Sequence, residues 1–123
     1  MRSSSSDVAF PQVCAKDIGE AVAGALRSPA AGDRVVELAG KEYWSADDVA
    51  ATLTALLGKP VKALGAPAEA AEAGLRQAGV PPEMARLYGE MYVGIAKGLV
   101  AFARPGSVTR GSTPLADVLR AML

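Results

Sequence analysis

Apolar positions along this chain recur at helical spacing in several stretches and at strand spacing in three others. Ile18, Val22, Ala25 and Leu26 lie at i, i+4, i+7 and i+8, which gives one apolar face to a helix ending near Ser28-Pro29. Asp17, just ahead of them, has the chemistry of an N-cap. Val49, Leu53, Leu56 and Leu57 define a second helix. It opens on Ser45 with Asp48 three residues on, a pairing similar to a capping box, and stops at Gly58. Pro67 opens an Ala- and Glu-rich helix that runs to about Ala78 and is closed by Gly79. After Pro81-Pro82 a longer helix begins near Glu83, so the two should form a hairpin. The longer one carries Met84, Leu87, Tyr88, Met91, Ile95, Leu99 and Phe102 on one broad face, with Arg86, Glu90 and Lys97 away from its centre. Thr113-Pro114 then opens a last short helix with the stripe Leu115, Val118, Leu119 and Met122.

Three segments read as strands. Val8 to Cys14 is β-prone but interrupted by Pro11, which cannot donate to a ladder, so it is expected at an edge. Arg34-Val35-Val36-Glu37-Leu38-Ala39 is the strongest strand by its β-branched content, is ended by Gly40, and reads as central. Residues 60 to 64 alternate apolar with polar or small side chains, and a right-handed β-α-β unit over 34–64 follows. The expected fold class is α/β, or α+β: helix-rich, with a short sheet of strands near 8–14, 34–39 and 60–64 and four to five helices. Residues 1–7 read as a tail and 8–123 as one domain.

Composition removes several function classes. Thirteen Lys and Arg balance thirteen Asp and Glu with no one-sign block, which leaves no electrostatic footprint for nucleic acid or for an anionic membrane. The chain has no His, so Ser-His-Asp hydrolysis, Cys-His proteolysis and His-based metal sites each lack an essential group. Cys14 is alone, so no intrachain disulfide forms. It reads as a buried inert thiol in a cytoplasmic, reducing-compartment protein. No apolar run is long enough to span a bilayer.

Motif searching excludes more than it finds. Tyrosine-based hydride transfer needs Tyr and Lys one helical turn apart; Tyr92 and Lys97 are five residues apart, about 140° around a helix. No G-x-G-x-x-G or G-x-x-x-x-G-K-[ST] occurs, so no backbone cradle for pyrophosphate is present. Asp47 and Asp48 are adjacent and point about 100° apart, which suits capping better than metal binding. Arg110 has the chemistry for a carboxylate or phosphate, but a lone Arg in a glycine-flanked loop is usually solvated. Tyr88, Met91 and Tyr92, with Trp44 and Met84, have the makeup of an apolar small-molecule pocket with phenol hydroxyls for orientation. Core packing alone explains the same stripe, and is the commoner use of it.

Several stretches in order resemble the carboxy-terminal half of NmrA-like NAD(P)-binding proteins, atypical relatives of the short-chain dehydrogenases/reductases. They are Phe10-Pro11-Gln12-Val13, Asp17-Ile18-Gly19, the run from Arg34 to Gly40, Ser45 to Leu57 with Gly58-Lys59-Pro60-Val61, Glu90 to Ile95, and Arg110 to Leu115. The resemblance implies that Phe10, Pro11 and Gln12 lie near the nicotinamide end of a cleft and that Tyr88, Met91 and Tyr92 belong to a lid over substrate. It also implies that the Rossmann half with its glycine-rich loop is missing. NAD(P) is then expected only where a partner supplies that loop, with no catalytic, cofactor-binding or metal residue in this chain. Open apolar sheet edges call for cover, by a second copy or by a chain carrying the Rossmann half. The expected function is a non-catalytic domain that binds a small apolar or aromatic molecule, or a partner, through Tyr88, Met91, Tyr92, Trp44, Phe10 and Gln12. The alternatives are a subunit of a split NAD(P)-dependent oxidoreductase and a regulatory or structural interaction protein.

Overall fold

The computed structural model describes residues 8–28 and 32–123; the tail expected over 1–7 lies outside them. The described residues form two compact units, one from Leu64–Ala103 and the other from the residues up to Ala63 together with Arg104–Leu123. The fold is helix-rich α/β, with five α-helices and four two-residue strands among the described residues.

The helices form where local chemistry starts and stops them. In the larger unit these are α1 (Ala15–Arg27), α2 (Ala46–Leu57) and α5 (Leu115–Met122). The capping box on α2 is real. The Asp48 backbone N–H donates to Ser45 Oγ at 3.2 Å, and the Ser45 backbone N–H donates to Asp48 Oδ2 at 2.8 Å. Such a cap is worth about 1 kcal/mol. Gly58, at φ +66°, ends the helix in a left-handed turn that glycine adopts without strain. Ala50 of α2 and Leu115 of α5 are buried where these two helices pack. In the smaller unit a single 3-10 turn (Ala68–Ala70) leads into α3 (Ala71–Gln77), which pairs with α4 (Pro82–Ala96) as the expected hairpin. Because α4 ends at Ala96, with Gly98 in a left-handed turn, Leu99 and Phe102 lie beyond the helical face assigned to them.

The strands are shorter than expected and pair differently. β1 (Phe10–Pro11) runs antiparallel to β3 (Tyr43–Trp44), and β2 (Leu38–Ala39) runs parallel to β4 (Thr109–Arg110). The segment 34–39 is thus one edge of a two-stranded sheet, not a central strand. Residues 60–64 form no strand: Val61 donates its N–H to Thr54 Oγ1 at 2.9 Å and accepts that hydroxyl in return, so it is tied to α2 and not to a ladder. The β-α-β unit over 34–64 is therefore absent, and β2 instead takes a partner from the loop before α5, some 70 residues on. Gly40 lets the two sheets meet, since a Cβ there would land on the Gln12 carbonyl.

Asp17 is not an N-cap. Cys14, half-buried, occupies that position, and Asp17 sits in the first turn of α1 with its carboxylate buried. It accepts the Thr113 hydroxyl at 2.6 Å and the Thr113 backbone N–H at 3.2 Å, across 96 residues of chain. Gly111 completes the fit, because a Cβ there would collide with the carboxylate. The Thr113 hydroxyl bond is the main reason the Asp17 pKa lies below its ordinary value, and the bond to the Ser45 backbone does the same for Asp48. A carboxyl whose folded pKa is depressed adds stability that is in full above the ordinary value of 3.8 and is lost as pH falls through the folded one. Thermal unfolding followed by circular dichroism should show a midpoint that falls below about pH 4. Asp17→Asn, which cannot ionise, should flatten that acid limb and lower the midpoint near neutral pH; an acid limb unchanged in the variant would show that Asp17 contributes nothing to it.

Candidate functional site

The site is built from α4 upward. At about 100° per residue, its fifteen positions divide into three stripes. Ala85 and Gly89 are buried against the 3-10 turn and α3; Gly89 lies so near Glu72 that an added Cβ would sit 3.0 Å from the Glu72 Cβ. Arg86 binds Glu83 and Glu90 along a second, charged stripe, and the Arg86 bond holds the Glu83 carboxyl below its usual pKa. Met84, Leu87, Tyr88, Met91 and Tyr92 remain, each between 42% and 48% exposed. The helix therefore holds its hairpin with small residues and displays its large apolar ones.

The six residues singled out from sequence fall into two groups. Tyr88, Met91 and Tyr92 share the displayed face of α4 in the smaller unit. In the larger unit Phe10 is the strand partner of Trp44 across β1 and β3, and Gln12 follows, half-buried, with its carbonyl against Gly40. Trp44 is 7% exposed, a core side chain, and its indole N–H has no acceptor among the described residues. Sequence reasoning passed over Tyr43. Its ring is exposed and lies under the Arg110 guanidinium, 4.9 Å from the centroid, so Arg110 is engaged by an aromatic face. Nothing in the spacing links two residues that far apart.

Two grooves accompany these surfaces. One, of about 370 Å³, runs between the 3-10 turn and α4, and Glu69, Glu72, Glu90 and Lys97 are among its lining. It contains none of the six. The other, of about 490 Å³, lies in the larger unit between α1 and the 34–38 segment.

The helix starts among the described residues are acidic. Helix N-termini bind pyrophosphate because their free N–H groups and dipole favour negative charge. Here every α-helix already carries an acid in its first turn: Asp17, Asp47 and Asp48, Glu72, Glu83 and Asp117. A phosphate brought to any of them would meet like charge. Among the described residues no group of three His, Cys, Asp or Glu side chains is placed to hold a metal ion, and no helix is long and apolar enough to cross a membrane.

No protein-family model matches the chain, and no curated protein matches it. Solved structures do. A NADPH-dependent quinone oxidoreductase from Escherichia coli superposes with a TM-score of 0.74 at 24% identity, over 97% of this chain and 44% of that one. Its complex with NADPH gives 0.75 at the same identity. The triphenylmethane reductase of Citrobacter sp., complexed with NADP(H), gives 0.73 at 22% identity over 98% of this chain and 43% of that one. The chain thus has the fold of part of these reductases and spans less than half the length of the solved structures it matches.

The three stripes of α4 predict opposite responses to substitution. Met91→Ala should change stability by no more than about 0.5 kcal/mol in urea unfolding. Ala85→Leu, which overfills the hairpin contact, should cost about 1–3 kcal/mol. Equal effects from the two would remove the distinction between a packing face and a displayed face.

Proposed function

We propose that this chain is the ligand-binding part of an NmrA-like reductase fold and that it takes a small apolar or aromatic molecule without catalysing a reaction by itself. The observation that carries the reading is the displayed face of α4. A helix that held its hairpin with large residues would bury Tyr88 and Met91; this one buries Ala85 and Gly89 and leaves aromatic rings, a thioether and phenol hydroxyls outward. Flat rings stack on Tyr, methionine adapts to their outline, and a phenol orients a carbonyl. The matched proteins act on molecules of this kind, a quinone in one case and a triphenylmethane dye in the other, which supports the ligand class. Tyr88, Met91 and Tyr92 are the contacts on this face. Phe10, Gln12 and Trp44 are the contacts proposed in the larger unit, where Phe10 and Trp44 are strand partners.

Redox chemistry is assigned to no residue here. The acidic helix starts and the missing glycine-rich loop argue that NAD(P) is held, if at all, through another polypeptide. A split oxidoreductase is accordingly the second reading, favoured by the chain matching only 43–44% of each reductase. The partner is a second copy or a chain bearing the remaining half, in a reducing cytoplasm.

A thermal-shift series with a naphthoquinone and a triphenylmethane dye should raise the unfolding midpoint, and Tyr92→Ala should abolish the rise. A shift unchanged in Tyr92→Ala would exclude the α4 face. NADPH fluorescence should show no saturable change with this chain alone; saturable binding would overturn the non-catalytic reading.

A further inference from the structure

Two of the large side chains that α4 displays are thioethers, and the helix sets them in register. Met84 and Met91 are seven residues apart, about 20° around the helix, so they share one stripe. Tyr88 lies between them, four positions from Met84 and three from Met91, the spacings at which helix side chains are neighbours. Met84 is 48% exposed and Met91 42%, while the hairpin contact is made by Ala85 and Gly89. Both sulfurs are therefore open to small reagents in the folded chain, and their polarity changes without opening a core. The other oxidisable sulfurs among the described residues are placed differently. Met122 is 77% exposed at the end of α5 and Cys14 is half-buried at the start of α1, both in the larger unit.

We infer that Met84 and Met91 are an oxidative modification site, at which hydrogen peroxide converts the thioethers to sulfoxides and so turns the ligand face of α4 from apolar to polar. In this step the sulfur lone pair bonds to one peroxide oxygen, the O–O bond breaks, and the other oxygen leaves as water, its second proton coming from the oxygen transferred. Sulfur gives up two electrons and peroxide takes them, so no further reactant enters. A soft apolar atom becomes a strong acceptor. Tyr88, the neighbour of both positions, carries a phenol O–H for the sulfoxide oxygen to accept, and a hydroxyl so engaged is withdrawn from a ligand carbonyl. The face then loses apolar area and its orienting donor together. The inference rests on the proposed reading of α4 as the ligand face and adds the regulation of that face.

The test treats the full 123-residue chain with hydrogen peroxide, removes the reagent, and maps the product by peptide mass. Met84 and Met91 should each gain one oxygen while circular dichroism and the thermal midpoint of the free chain change little. Binding of a naphthoquinone, read by thermal-shift titration, should weaken about tenfold, as expected when a polar group is buried against an apolar ring. Retention on a phenyl matrix should fall as well. Methionine sulfoxide reductases for the two epimers should restore both readings. In the double variant Met84→Leu with Met91→Leu, whatever its starting values, peroxide should alter neither reading, although Met122 and Cys14 remain. Sulfurs on α4 that stay unoxidised while Met122 is converted overturn the proposal. So does quinone binding undiminished in the doubly oxidised chain, or an equal response in the double variant. A chain that never binds the naphthoquinone, yet loses phenyl retention on oxidation and regains it with the reductases, removes the ligand reading and supports the modification site.

Discussion

A buried carboxylate held by hydrogen bonds organises the larger unit. Asp17 is satisfied by the hydroxyl and backbone N–H of Thr113. Leaving it unpaired in the interior would be costly, so the chain before α5 must return to α1. That return brings Thr109 and Arg110 alongside Leu38 and Ala39, and sets Arg110 over Tyr43. Gly111 and Gly40 are the two positions where this closure leaves no room for a side chain.

Closure of this kind uses polar contacts where most small domains use apolar ones, and the consequence is visible on the surface. The described residues bury few large side chains: Trp44 and Leu115 are the sizeable members of the core, with Ala39, Ala50 and Ala85 filling the rest. Large apolar residues are instead displayed on α1, on 34–38 and on α4. Contiguous exposed apolar surface on a folded protein marks a place where something binds. The surfaces differ in chemistry. α4 displays rings, sulfur and hydroxyls; α1 and the 34–38 segment display aliphatic side chains.

Charge placement along the helices supports them locally. Acidic first turns stabilise their own helices through the dipole, and on α2 the Ser45 hydroxyl also caps the Asp48 N–H. The ion pairs along α3 and α4, Glu72 with Arg76 and Glu83 with Arg86, are exposed i,i+3 and i,i+4 pairs that support the helices locally.

What the amino-acid sequence determined by itself is what short-range physics decides. Capping at Ser45, the stops at Gly58 and Gly79 and the proline starts at Pro67 and Pro82 act within one or two turns, so the helices were legible to within a few residues. The reading of α4 as apolar on one broad face was legible too, but not which stripe the hairpin would bury, because that depended on the small residues Ala85 and Gly89 meeting Glu72. Strand partners were not legible: Leu38 pairs with Thr109 and Phe10 with Trp44, contacts between segments far apart in sequence that no local pattern encodes. The same limit hid the role of Asp17, since a carboxylate ahead of an apolar stripe reads as a cap until the fold brings Thr113 to it. It hid Tyr43 as well, which only tertiary closure sets beneath Arg110.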